Sequence, residues 1–307
     1  MIERSTFLTK DLKFGGYVVL LLASLLYGGT VVAARVISGD IPPVALSLLR
    51  GLFGLLVLFP LARRSLRESP TPTRQDLCRF ALMGFLGITV AYVTFLWAIQ
   101  YSSATNASII AATTPAITIT LLAFGWGIIP SKLRVFGIAL SFSGLLVVIA
   151  QGSITRLLSL SLNPSDLVLL LNVLTVSVFT ILGQGVMAKF PPIVTSVYSL
   201  LFGTIFLLPY GIWEMFHRNW HFTNTSMVVL LYMGCVVTGI ATLLNFEGIS
   251  RLGSGKAAIL GNLAPVFGVL LAYIFLGERL SLYHWGGFTL VFAGIGLCLF
   301  PGYSQQT

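Results

Sequence analysis

Along the chain, apolar stretches of about 20 residues alternate with short polar breaks, and that is the length a helix needs to cross a hydrocarbon core of about 30 Å. Ten such stretches are read near residues 14–34, 42–62, 79–100, 104–126, 133–151, 166–187, 192–212, 226–248, 254–276 and 283–300. The expected class is an all-α polytopic membrane protein with ten transmembrane helices. The first stretch is too long for a signal-peptide core, lacks a convincing cleavage site and is followed by nine more, so it is read as a retained span. The breaks are short. The longest, around Arg63 to Arg79 and from Trp213 to Thr225, leave no room for an extramembrane domain, so any chemistry is expected inside the membrane.

The pattern repeats. At an offset of 149, Pro42, Pro43, Ser47, Phe53, Gly54 and Pro60 recur as Pro191, Pro192, Ser196, Phe202, Gly203 and Pro209. At an offset of 150, Pro115, Gly127, Gly137 and Gly144 recur as Pro265, Gly277, Gly287 and Gly294. Shared apolar composition does not align prolines and glycines, so the chain is read as two copies of one unit. Each copy holds five spans, an odd number, so the second enters the bilayer from the opposite side. Inverted halves are a recurring construction of secondary transporters, in which exchanging the conformations of two similar halves turns an inward-open state outward-open.

Composition narrows the class. Of 307 residues, 56% are hydrophobic and 9% charged, against about 25% charged in soluble chains, which excludes an ordinary soluble enzyme. The net charge of +9 does not point to nucleic acid, because the basic residues fall in short loops between spans. Thirteen of the 18 Lys and Arg lie in the N-terminal segment or in loops on its side, and only Arg35, Arg156, Arg218 and Arg279 lie opposite. The positive-inside rule then places both termini in the cytoplasm, and the expected location is the cell's inner (plasma) membrane. Cys235 and Cys298 lie inside spans and Cys78 at the edge of one, so neither a disulfide framework nor a metal site is expected.

Pro115 and Pro265 each fall about ten residues into a span and deprive the carbonyls of Ala111 and Gly261 of a partner. Thr113, Thr114 and Asn262 stand near enough to bond them, or the spans line a wet cavity and offer the carbonyls to a substrate. A plain kink used for packing is the alternative.

The stretch Ala257 to Gly294, with Pro265, the turn Gly277-Glu278-Arg279, Ser281, Gly287 and Gly294, resembles the closing segment of EamA-type transporters in the drug/metabolite transporter superfamily. Asn106 to Gly144 resembles the same unit in the first half, although Ile128 stands where the second copy has Glu278. The resemblance implies two five-helix repeats, residues 1–151 and 160–303. It also implies export of amino acids, aromatic ones among them, or movement of sugars, nucleotide derivatives or quaternary amines.

Polar residues inside spans are the candidates for a binding site. Arg50, about eight residues into the second span, either grips a substrate carboxylate or phosphate with its planar fork or pairs structurally with a carbonyl or with Glu247. Glu247 is the only carboxylate placed within a span, on a helix whose Thr238, Thr242 and Asn245 form a polar stripe at i, i+4 and i+7. It either couples transport to protons or an ammonium group, or forms an i,i+4 ion pair with Arg251. Lys256 at the mouth of the ninth span either snorkels to the interface or binds an anion. Tyr92 and Trp97, with Tyr101 beside them, offer rings for stacking or cation–π attraction, against the alternative of an interfacial belt. Asn172 and Gln184 line the same cavity or bridge helices, and Gly261 and Asn262 flank the second proline.

Three patterns are set aside. Gly253-Ser254-Gly255-Lys256 lacks the spacing and the hydroxyl residue of a phosphate loop. Glu214, His217 and His221 are read as part of a polar outer loop rather than a metal site, and Asp166 as a helix cap. No HExxH motif, paired Asp or Ser–His pattern lies within the spans, so neither an intramembrane enzyme nor a receptor is the expected reading. The expectation is a secondary transporter of small polar metabolites, driven by protons or by exchange, with amino-acid export preferred and no cofactor, metal or nucleic-acid partner. The cavity should lie between the halves, and the glycine faces Gly137/Gly144 and Gly287/Gly294 serve either a homodimer seam or close packing inside a monomer.

Overall fold

The computed structural model describes residues 2–37, 40–101, 110–111, 113–127, 130–150, 153, 155, 158, 164–276 and 281–299. Every regular element among them is helical. The first half supplies α1 (Ile2–Val36), α2 (Pro43–Glu68), α3 (Arg74–Gly84), α4 (Ala91–Tyr101), α5 (Thr114–Trp126) and α6 (Lys132–Ile149). The second supplies α7 (Pro164–Val186), α8 (Pro192–His217), α9 (Asn224–Leu231), α10 (Thr242–Leu252), α11 (Ser254–Gly261), α12 (Leu263–Leu276) and α13 (Leu282–Leu299). Wide-turned π segments, Phe85–Val90 and Tyr232–Ala241, join α3 to α4 and α9 to α10. Among the described residues, seven helical runs are long and apolar enough to cross a membrane, with two shorter apolar helices beside them. Asn106, Ile128 and the turn Gly277-Glu278-Arg279 lie outside the described residues.

The repeat seen in sequence reappears as paired structure. Thr73 caps α3 by accepting from the Asp76 N–H, and Asp76 returns the bond to the Thr73 N–H at 2.9 Å, a capping box. One hundred and fifty residues on, Thr223 caps α9 by accepting from the Ser226 N–H at 3.1 Å. The Asp76 carboxylate then receives the Lys189 ammonium. Ser226 Oγ donates to Asp40 Oδ2 at 2.6 Å, and Asp40 stands 149 residues before Lys189. One contact between halves is thus written twice, once as an ion pair and once as a hydrogen bond. The two π segments also occupy equivalent places. Each frees carbonyls that threonine hydroxyls take up five residues on, as Thr238 does with Met233 at 2.8 Å.

The last helix of each half packs on its mate. A methyl group on Gly144 would lie 2.6 Å from the Gly287 oxygen, and one on Gly137 2.7 Å from that of Gly294. Gly137 and Gly144 correspond to Gly287 and Gly294, so each glycine faces the counterpart of the other, the reciprocal contact a two-fold relation produces. These glycine faces are used inside the chain, where the missing side chains bring α6 and α13 into backbone contact.

The structure corrects the reading of Glu214. α8 does not stop at residue 212 but continues to His217, because the backbone N–H groups at the start of α2 give Glu214 a reason to be buried. Its Oε2 accepts from the N–H groups of Val44 and Ala45, both at 2.8 Å, and the residue is 5% exposed. Pro42, the residue before α2, offers no side-chain cap, so the carboxylate of α8 satisfies N–H groups the helix itself leaves open and meets the positive end of its dipole. Glu214→Ala is expected to cost about 1–3 kcal/mol and Glu214→Gln less, since an amide oxygen still accepts. Thermal unfolding of the detergent-solubilised variants checks this, and equal melting temperatures for all three proteins would refute it.

Candidate functional site

Between the halves lies a cavity of about 370 Å³, within the range of small-molecule sites. It is bounded by α1, α2, α4 and α5 from the first half and α7, α10, α11 and α12 from the second, together with both π segments. Most of its wall is apolar, with Ile88, Phe95, Val176, Phe179 and Val237 facing the space.

Arg50 is the charged residue in this wall. It stands two turns into α2 and is 3% exposed. Its Nε–H donates to Thr238 Oγ1 at 3.3 Å, and its guanidinium carbon lies 4.3 Å from the centre of the Tyr92 ring. No carboxylate pairs with it among the described residues, so the ring face and one hydroxyl are what offset the loss of water. The planar fork keeps its two Nη groups without an acceptor among the described residues, and the cavity is where they find space.

The polar stripe of the eighth apolar stretch faces this centre. Thr238 holds Arg50, while Thr242 and Asn245 line the cavity. Tyr27 on α1 completes the group, its hydroxyl reaching Thr242 Oγ1 at 3.5 Å. Nothing in the sequence marks Tyr27 out, since it sits in an apolar run and aligns with no polar residue of note in the second half. Asn172 both lines the cavity and bridges helices, donating to the Ala91 carbonyl at 2.6 Å and to Thr94 Oγ1 at 3.1 Å.

Each proline stands just after a one-turn interruption of its helix, at Thr113 and at Asn262, where the backbone stays in the right-handed region. α5 starts at Thr114 with Pro115 in its first turn, and α12 restarts at Leu263, after Asn262, with Pro265 likewise in the first turn. A proline there gives up an N–H that has no partner in any case. The carbonyl of Ala111 is taken by Thr114 Oγ1 at 2.5 Å and that of Ile110 by Thr113 Oγ1 at 2.6 Å. Both breaks meet the cavity, at Ala111 and Thr114 on one side and at Gly261, Asn262 and Pro265 on the other. Asn262 donates to Ser141 Oγ at 3.4 Å, and a side chain on Gly261 would enter open space.

The remaining sequence candidates stand elsewhere. Glu247 pairs with Arg251 at 3.3 Å, both about one-third exposed. Trp97 is 41% exposed and packs on Tyr101 with ring centres 4.9 Å apart. Lys256 lies in the first turn of α11, outside the cavity lining. Gln184 accepts from the Ser254 N–H at 2.8 Å, so Gly253-Ser254-Gly255-Lys256 is a helix start, entered through Gly253 at φ +86°.

Comparison with known proteins bears on this architecture. The model of the EamA-like transporter family matches residues 14–150 and again residues 163–300. An uncharacterized transporter of Archaeoglobus fulgidus is 24% identical over 92% of this chain and 96% of its own. An uncharacterized inner membrane transporter of Salmonella typhimurium, YicL, is 25% identical over 91% and 93%. A probable terminal-alkyne amino-acid exporter of Streptantibioticus cattleyicolor is 24% identical over 67% and 68%. One crystal structure superimposes with a TM-score of 0.76 at 17% identity, covering 94% of this chain and 99% of that one.

Proposed function

The chain belongs to the EamA-like transporter family and is a multi-pass membrane transporter rather than an enzyme, and we propose that it moves small polar metabolites bearing a carboxylate, amino-acid export preferred, by alternating access. The observation that carries this reading is Arg50, a buried guanidinium that lines a cavity between the halves with no carboxylate paired to it among the described residues. A substrate carboxylate offers it the bidentate partner that the protein does not. Support for the class comes from the similar amino-acid exporter. Support for alternating access comes from the reciprocal packing of α6 and α13 and from the two helix breaks that meet at the cavity.

In this reading the ten apolar stretches are ten spans in two five-helix repeats, residues 1–151 and 160–303, inverted in the inner membrane with both termini in the cytoplasm. The substrate passes by rocking of the halves about the cavity, and Gly261, Pro115 and Pro265 shape its backbone. A sugar or quaternary-amine carrier is the competing reading, favoured by the rings of Tyr27 and Tyr92 and opposed by the positive charge of Arg50.

Counterflow in liposomes holding the purified full chain separates the two. Saturable exchange of radiolabelled amino acids, with glucose and choline inert, is the expected result. Folded, inserted protein that exchanges choline or glucose and no amino acid would replace this reading by its competitor.

A further inference from the structure

We infer that, among the carboxylates the carrier takes, the cavity ranks net-anionic acids with an apolar body, N-acylated amino acids included, above the free amino acids that it also moves, and excludes the amines of the same body. The inference rests on the carrier reading above and concerns which carboxylates the carrier takes.

The chain has nine Asp and Glu residues. The five whose side chains are described, Asp40, Glu68, Asp76, Glu214 and Glu247, all lie outside the cavity. Four of these are engaged elsewhere, with Ser226, Lys189, the start of α2 and Arg251 in the case of Asp40, Asp76, Glu214 and Glu247, and Glu68 pairs with Arg64 at 2.7 Å. Glu3, Asp11, Asp166 and Glu278 stand in sequence at or beyond the ends of the apolar stretches. The site thus carries a guanidinium and no described anion. An ammonium group entering it meets a like charge, and one of the ring faces that could attract it, Tyr92, already lies under Arg50.

The hydrogen bonds of the wall favour the same class of ligand. Many polar groups in the wall are bonded within the protein: Ser24 to the Leu260 carbonyl at 3.1 Å, Thr180 to that of Val176 at 2.8 Å, Asn172 to Ala91. Thr30 is different. It lines the cavity, is 9% exposed, and its Oγ1 is buried with no partner. A buried hydroxyl left unbonded is costly; the Thr30 Oγ1 is covered in this state, and a turn about χ1 brings it to the cavity as a donor that suits an oxyanion. The apolar walls, with Phe95 and Phe179 among them, accept the rest of the molecule. The fitting class is an aryl or alkyl carboxylate, or an amino acid whose amino group is acylated.

Three probes share one body and differ in charge: 3-phenylpropanoate, phenylalanine and 2-phenylethylamine. For each, counterflow by the reconstituted full chain gives a rate per unit affinity, and the melting temperature in detergent gives binding without transport. 3-Phenylpropanoate is expected to exceed phenylalanine by at least about tenfold, with the amine inert. Arg50→Gln should erase the difference, and Thr30→Val, which keeps shape and removes one donor, should raise the KM for 3-phenylpropanoate several-fold. Phenylalanine transported as well as the anion overturns the inference and leaves the carrier reading standing. Absence of both a melting shift and exchange with 3-phenylpropanoate overturns it too, and if no amino acid, sugar or choline moves either, the carrier reading falls with it.

Discussion

Replacing Arg50 by alanine should leave a protein that folds and inserts but exchanges its substrate about two orders of magnitude more slowly. The functional loss follows from geometry. Truncating one member of a buried, hydrogen-bonded charge pair costs about 2–5 kcal/mol, and in the loaded carrier the partner is the substrate's own carboxylate. The structural loss is small because no carboxylate among the described residues pairs with Arg50. Arg50 gives up one 3.3 Å bond to Thr238 and the face of Tyr92, about 0.5–2 kcal/mol of cation–π attraction, while removal of a buried guanidinium from a mostly apolar wall returns energy in the other direction. Arg50→Lys should recover little transport, since a point charge on a flexible stem cannot present two parallel donors. Initial counterflow rates and melting temperatures on the same preparations decide it. Wild-type flux in Arg50→Ala would remove the guanidinium from the binding site, and a collapsed melting temperature would make it a structural residue.

Much of the architecture was written in the spacing of prolines and glycines. Gly137, Gly144, Gly287 and Gly294 showed the repeat, and the structure gives the reason they are glycine, because each brings its helix onto the backbone of its mate. Thr73 with Asp76 and Thr223 with Ser226 carried the same offset of 150 and mark helix starts as plainly, but a short polar motif in a loop has no apolar period to announce it. Arg50 was legible because a guanidinium in an apolar run must be satisfied somehow. Tyr27 was not, since a tyrosine in a membrane span is ordinary until a cavity is known to lie beside it. Glu214 was hidden for a related reason: a carboxylate next to Trp213 and two histidines reads as surface, and only the approach of α2, from 170 residues away, turns it into a buried cap. Asn245 and Glu247 are two residues apart and therefore point to different sides of α10, which a stripe read from sequence separates only when its face is known.

Two glycine substitutions should part transport from stability most sharply. Gly261 ends α11 beside the cavity, and a Cβ built there meets nothing within 4 Å. Its φ is not positive, since the positive-φ glycines among the described residues are Gly127 and Gly253, so a larger residue enters a helical position at no backbone strain and with a gain of a few tenths of a kcal/mol in helix propensity. Gly261→Trp should therefore melt near the wild-type temperature and transport nothing, because an indole takes up the space between the two helix breaks where the substrate sits. Gly294 is the opposite case. A Cβ there would stand 2.5 Å from both the Gly137 oxygen and the Ser141 nitrogen, and backbone atoms on a packed helix cannot rotate aside. Gly294→Val should force α6 and α13 apart, an overpacking cost of about 1–3 kcal/mol or more, and lower the melting temperature or the yield of folded protein. Its surviving fraction should keep its substrate preference, because the contact lies outside the cavity lining. Normal flux through Gly261→Trp would place the transport path elsewhere, since a wall residue that can be enlarged without effect does not bound the substrate.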